Sequence, residues 1–155
     1  MKSKFFMFFC VMLALMSVFD VRAQGDVFTE GFEGTAFPPD GWTRYNLSGG
    51  TLQWARTTTA AVVYDGSGAA YFQYNSGLQE GLLVTPQVLI SDADAELTFW
   101  SRVQGYDPIY TPEAYSGVWV STGDNDPASF VEIKKFEGDE LSDDAWQEIV
   151  VSLSS

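Results

Sequence analysis

Chemistry in this chain has to come from oxygen atoms and aromatic rings. The sequence has no histidine, and its one cysteine is Cys10. A Ser-His-Asp triad, a Cys-His pair and a Cys/His zinc site are therefore excluded. Proton transfer or nucleophilic attack would rest on carboxylates, Lys134, Lys135 or tyrosines. Carboxylates are plentiful and have two chemical uses. A hard cation such as calcium takes about six to eight oxygens from carboxylates and backbone carbonyls and needs neither histidine nor cysteine. Glycoside hydrolysis needs two acids roughly 5–10 Å apart across a cleft, one with a raised pKa. Glu80, Glu96, Glu113 and Glu132 are candidates by count, and nothing in their spacing pairs any two. The rings offer a third kind of site. Trp100 and Trp119, with Tyr106 and Tyr110 on an adjoining loop, form a candidate platform for a glycan or a protein partner. The same tryptophans also suit a central strand covered on both faces.

The stretch that must organise these groups runs from Phe28 to Trp42. It holds Glu30, Glu33, three phenylalanines and no basic residue. As an extended segment it puts Phe28, Glu30 and Phe32 on one face and Thr29, Gly31 and Glu33 on the other. Pro38-Pro39-Asp40-Gly41 then predicts a turn, because proline fixes φ and glycine tolerates positive φ. Trp42 falls just past it.

Beyond Trp42 apolar residues alternate or come in short runs, and Gly, Pro, Asn, Asp and Ser interrupt them at short intervals. That pattern predicts an all-β sandwich or barrel with almost no helix. Strands are expected at Val27–Phe32, Trp42–Leu47, Leu52–Thr58, Ala69–Asn75, Leu82–Ile90, Glu96–Gln104, Tyr115–Ser121, Phe130–Phe136 and Trp146–Leu153. Pro86 predicts an edge or a bulge in the fifth. In Glu96–Gln104, Leu97, Phe99, Ser101 and Val103 share one face, with Trp100 and Arg102 opposite. The loop 104–114 and the acidic run 137–144 connect strands. The chain stops at Ser155 directly after an apolar strand, so the domain is expected to lack its last strands.

Residues 1–23 read as an export signal. Lys2 and Lys4 precede an apolar run from Phe5 to Phe19, and Val21-Arg22-Ala23 offers small residues for cleavage. Cys10 has no lipidation context. The mature chain is then residues 24–155, one domain, secreted or on the cell surface, without a disulfide. Removing Lys2, Lys4, Arg22 and Asp20 leaves five basic and twenty acidic residues, a formal charge of −15. That charge disfavours nucleic acid and anionic membrane surfaces, and membrane insertion of the mature chain is not expected.

The order of short motifs carries a further signal. It runs Phe-Glu-Gly at 32–34, Phe-Pro-Pro-Asp-Gly-Trp at 37–42, then Trp54. Asp-Gly-Ser-Gly-Ala-Ala-Tyr at 65–71 and Gly-Leu-Leu-Val-Thr-Pro at 81–86 follow. Leu-Thr-Phe-Trp at 97–100, Tyr-Ser-Gly-Val-Trp-Val-Ser-Thr at 115–122 and Trp146 complete it. This series resembles the cleaved-adhesin, or choice-of-anchor J, domain of exported Bacteroidetes-type proteins, which includes gingipain adhesin modules. The resemblance implies a jelly-roll β-sandwich similar to carbohydrate-binding modules and MAM-type domains. It also implies adhesion or accessory binding, and structural calcium. The chain departs from the family in lacking closing strands and in having Tyr45–Gly50 where an Asp-rich stretch is usual.

On that resemblance Glu33 is the acid placed against a calcium ion. Asp65 would add a second carboxylate, and carbonyls around Ser67 would fill part of the shell. Otherwise Glu33 is a surface acid and Asp65 an ordinary turn residue. The Asp124-Asn125-Asp126 turn is the alternative place for the ion. For function, a non-enzymatic adhesin-like binding module is the first expectation. A carboxylate-based glycoside hydrolase, an accessory domain of a secreted hydrolase, and a structural spacer in a longer surface protein are the alternatives.

Overall fold

The computed structural model describes residues 27–51, 53–73, 79–105, 115–137, 140 and 144–153. Residues 1–23, expected to be an export signal, and Tyr106, Tyr110, Glu113 and most of the acidic run 137–144 lie outside the described residues.

The chain is all-β. Its strands are β1 (Thr43–Asn46), β2 (Ala55–Thr57), β3 (Ala69–Tyr71), β4 (Gly81–Val84), β5 (Glu96–Ser101), β6 (Tyr115–Val120), β7 (Val131–Glu137) and β8 (Gln147–Ser152). Two single 3-10 turns, Ala60–Val62 and Pro127–Ser129, are the helical elements among the described residues. Among the described residues the strands pair antiparallel as four two-stranded ladders, β1 with β4, β2 with β3, β5 with β8 and β6 with β7. Every ladder joins strands that the alternating pattern predicts, most with shorter bounds; β4 begins one residue before the expected start and β7 is shifted one residue along the chain. β4 stops at Val84, before Pro86 removes the next donor.

The expected strand at Val27–Phe32 is absent. Those residues pair with no strand among the described ones, and Phe32 adopts φ 57°. A left-handed phenylalanine costs about 1–3 kcal/mol and persists where its surroundings over-determine it. Here the ring packs against Phe37 (6.0 Å) and edge-on against Trp42 (5.4 Å). The expected turn follows. Trp42 N–H donates to the Pro39 carbonyl at 3.0 Å, and Gly41 has φ +79° at its third position. That conformation is the one that demands glycine there.

The buried core of the described residues is Phe136 of β7 and Val151 of β8. Phe99, Val103, Val118 and Ile149 pack against them, so the β5–β8 and β6–β7 ladders share one apolar cluster. The inward face of β5 is therefore the one read from alternation, Leu97, Phe99 and Ser101, with Val103 continuing it just past the strand. In the β6–β7 ladder a bulge falls between Val118 and Trp119, which pair with Lys134 and Glu132 and leave Ile133 as the extra residue.

Candidate functional site

Two constellations gather the groups capable of chemistry. The first surrounds Glu33. The turn 65–68 between β2 and β3 brings Ser67 back to the first segment. Glu33 Oε2 accepts from the Ser67 amide at 2.8 Å and from the Ser67 hydroxyl at 2.5 Å. The Ser67 hydroxyl, then its amide, then the nearby Arg56 charge hold the Glu33 carboxyl below the ordinary glutamate value of 4.5.

Arg56 of β2 completes this cluster. Its Nε–H donates to the Phe32 carbonyl at 2.6 Å. Its Nη2 reaches the Glu33 carbonyl, the Ser67 carbonyl and the Ser67 hydroxyl, each at 3.3 Å. Two glycines make room for this approach. A methyl at Gly68, which is buried, would overlap the Arg56 guanidinium at 2.5 Å and the Phe32 oxygen. A methyl at Gly66 would overlap the Glu33 carboxylate.

Of the three residues expected to hold calcium, the structure joins Glu33 and Ser67. Asp65 turns its carboxylate to its own loop, accepting from Gly66 N–H at 2.8 Å. The oxygen set is of the kind a hard cation uses. It is already directed at the Arg56 guanidinium, so calcium fits these oxygens only by expelling Arg56. At the alternative place, Asp124 accepts from the Ser129 hydroxyl at 2.6 Å and from Asp126 N–H at 3.0 Å. Those two bonds hold its carboxyl below the ordinary aspartate range. Asp126 in turn caps the Pro127–Ser129 turn by accepting from Ala128 N–H. No group of three or more His, Cys, Asp or Glu side chains converges among the described residues.

The lowered Glu33 pKa gives a pH prediction. A group whose folded pKa is depressed adds stability that is complete above its ordinary value and is lost as pH falls through the folded value. Wild type should therefore melt above Glu33→Gln at neutral pH, and the gap should close on acidification below about 4.5. Thermal unfolding of both proteins from pH 7 to pH 3 measures this, and a gap that stays constant would contradict it.

The second constellation is aromatic. Trp100 on the outer face of β5 stacks on Tyr64, with ring centroids 4.1 Å apart and planes 13° off parallel. Trp146 meets the same tyrosine at 5.4 Å and 60°. Trp100 remains 42% exposed and Tyr64 47% exposed. Arg102, directly after β5 and next in alternation to Trp100, fixes the border. It donates through Nε (3.0 Å) and Nη2 (2.7 Å) to Asp144, and through Nη1 to the Ala61 carbonyl at 2.6 Å. One guanidinium thus ties the Ala60–Val62 turn, two residues before Tyr64, to the left-handed Asp144 two residues before Trp146.

The structure does not join Trp100 to Trp119. Trp119 sits half-buried on the β6–β7 ladder, near Tyr115 (6.1 Å) and over Gly117. Tyr115 is itself faced by Lys135, whose Nζ lies 4.8 Å from the ring centre and 2.5 Å from Glu137. Tyr64, Trp146 and Arg102 were not expected members of a ring site. Alternation marks Trp100 and Arg102 as outward neighbours, but no local period locates Tyr64 against them. Of the expected acids, Glu80, Glu96 and Glu132 are exposed. A shallow concavity lined by Glu30, Gly34, Thr35, Ala36, Pro39 and Asp40 contains none of the three.

Fold and site together define an all-β chain with a half-open aromatic cluster on a ladder's outer face and a guanidinium-centred oxygen cluster at the β2–β3 turn. Comparison with protein families, curated proteins and solved structures finds no match to this chain.

Proposed function

We propose that this chain is a non-enzymatic, adhesin-like binding module that acts outside the cytoplasm, with a glycan as ligand. The observation that carries the reading is the Tyr64–Trp100–Trp146 cluster. A sugar ring has apolar C–H faces and a rim of hydroxyls. Flat aromatic surface suits the faces, and fixed polar groups suit the rim. Trp100 and Tyr64 supply the surface, each about half open. Arg102 and Asp144 supply polar atoms at its edge, 2.7 Å apart and anchored to backbone on one side. The ring stacking and the Arg102 bonds fix the cluster's geometry, which lowers the entropy that binding must overcome.

The jelly-roll sandwich belongs to the same proposal. The apolar cluster shared by the β5–β8 and β6–β7 ladders supports it, because two ladders facing one core is the local form of a sandwich. The export signal and the acidic charge support a secreted or surface location. The hydrolase alternative asks for a carboxyl with a raised pKa. The carboxyls with displaced values among the described residues, Glu33, Asp124 and Glu140, are all held low by hydrogen-bond donors. A glycan array probed with wild type and with Trp100→Ala tests the proposal. Loss of the bound glycans in the variant is expected. Unchanged binding would move the site elsewhere.

A further inference from the structure

We propose that Arg56 is the resident cation of the Glu33–Ser67 oxygen cluster, so that an internal guanidinium makes the crosslink that the family resemblance assigns to calcium. Four observations carry this. The Phe32, Glu33 and Ser67 carbonyls and the Ser67 hydroxyl all point at one guanidinium, at 2.6 to 3.3 Å. These oxygens come from two parts of the chain about 34 residues apart, the first segment and the β2–β3 turn. Phe32 holds a left-handed backbone there, and its carbonyl takes the shortest of the four bonds. Gly68 is buried, and a side chain there would occupy the guanidinium's place.

Arginine suits this role better than lysine. Its planar fork addresses several acceptors at once and stays charged at all working pH values. An ammonium group is a single compact charge and cannot reach acceptors on both segments in one geometry. The Val27–Phe32 segment lacks a ladder partner among the described residues, so this clasp is a principal tie between it and β2–β3. A divalent ion and a guanidinium do not share one set of oxygens, because like charges repel at such separations. The proposal therefore makes this part of the fold independent of calcium.

The test is thermal unfolding of the whole protein in calcium chloride and in chelator, for wild type, Arg56→Met and Arg56→Lys. Nuclear magnetic resonance of the Arg56 Nε–H accompanies it. The wild-type midpoint is expected to be the same in both buffers. Both variants are expected to melt lower, by roughly 5–10 °C for Arg56→Met with Arg56→Lys recovering only part of that. The Arg56 Nε–H signal should be protected from solvent exchange, and calcium should leave it unmoved. That resonance decides the matter even if Arg56→Met fails to fold. A wild-type midpoint that rises with calcium, a fast-exchanging Nε–H, or an Arg56→Met protein as stable as wild type would each overturn the proposal.

Discussion

Phe136→Ala should remove a large share of this protein's stability. Phe136 and Val151 are the buried apolar side chains of the described residues, at 8% and 6% exposure. Phe99, Val103, Val118 and Ile149 are only half-buried against them. Truncating a buried phenylalanine removes its transfer free energy and leaves a cavity, together about 3–5 kcal/mol. Domains of this size have about 5–15 kcal/mol in total. The loss also falls on both ladders at once, because Phe136 lies in β7 and Val151 in β8. Urea unfolding followed by tryptophan fluorescence should show a midpoint well below wild type. Val150→Ala is the control, since Val150 alternates to the outer face and is 53% exposed. It should shift stability by less than about 1 kcal/mol. Equal effects at the two positions would mean that the shared cluster is not the core.

Gly68→Ala should be strongly destabilising for a single added methyl. Its added carbon would lie 2.5 Å from Arg56 Nη2 and 2.6 Å from the central guanidinium carbon, and would overlap the Phe32 carbonyl. Backbone cannot withdraw cheaply on the Phe32 side, and Arg56 cannot withdraw without giving up its carbonyl acceptors. Overpacking of this kind costs about 1–3 kcal/mol. Lost hydrogen bonds to a charged group cost about 1.5–3 kcal/mol more. Gly123→Ala provides the comparison, because nothing lies within 4 Å of its added carbon. Thermal midpoints of the two variants measure the contrast. A Gly68→Ala midpoint equal to that of Gly123→Ala would show that the guanidinium seat is looser than its geometry implies.

The strands were legible where a local period decides them. Leu97 and Phe99 alternate with Trp100, and that alternation correctly assigns the core face and the outer face of β5. The turn at Pro39–Trp42 was legible because proline and glycine each restrict the backbone to a few conformations. The first segment reads as a strand and is not one. Its alternation is real, but a strand also needs a partner, and alternation carries no information about partners. Phe32 instead turns left-handed to meet Arg56. The oxygen cluster was half legible. The resemblance places Glu33, and the turn places Ser67, around one calcium ion; in the structure the two residues meet directly by hydrogen bonds. Arg56 is not legible as a member of the cluster, because a metal-ligand pattern is made of acids and not of a base. A usable signal existed, since Arg56 stands in β2, whose partner strand starts just after the Asp65-Gly66-Ser67-Gly68 turn. In the aromatic site Tyr64 escaped notice because its place depends on Arg102 holding the Ala60–Val62 turn over β5. Such long-range ties leave no period in the sequence.

The central claim is that the Tyr64–Trp100–Trp146 cluster is the ligand-binding surface. Tryptophan fluorescence is its most direct probe, because Trp100 would touch the sugar and is already half exposed. Wild type, Trp100→Ala and Trp119→Ala should be titrated with the strongest glycan found on an array, after thermal unfolding shows each variant folded. Saturable quenching or enhancement is predicted for wild type and for Trp119→Ala. Trp100→Ala is predicted to lose at least tenfold in affinity, in line with about 1.4 kcal/mol or more from one aromatic contact. The account is contradicted if no glycan binds wild type, or if Trp100→Ala binds as tightly as wild type while Trp119→Ala does not.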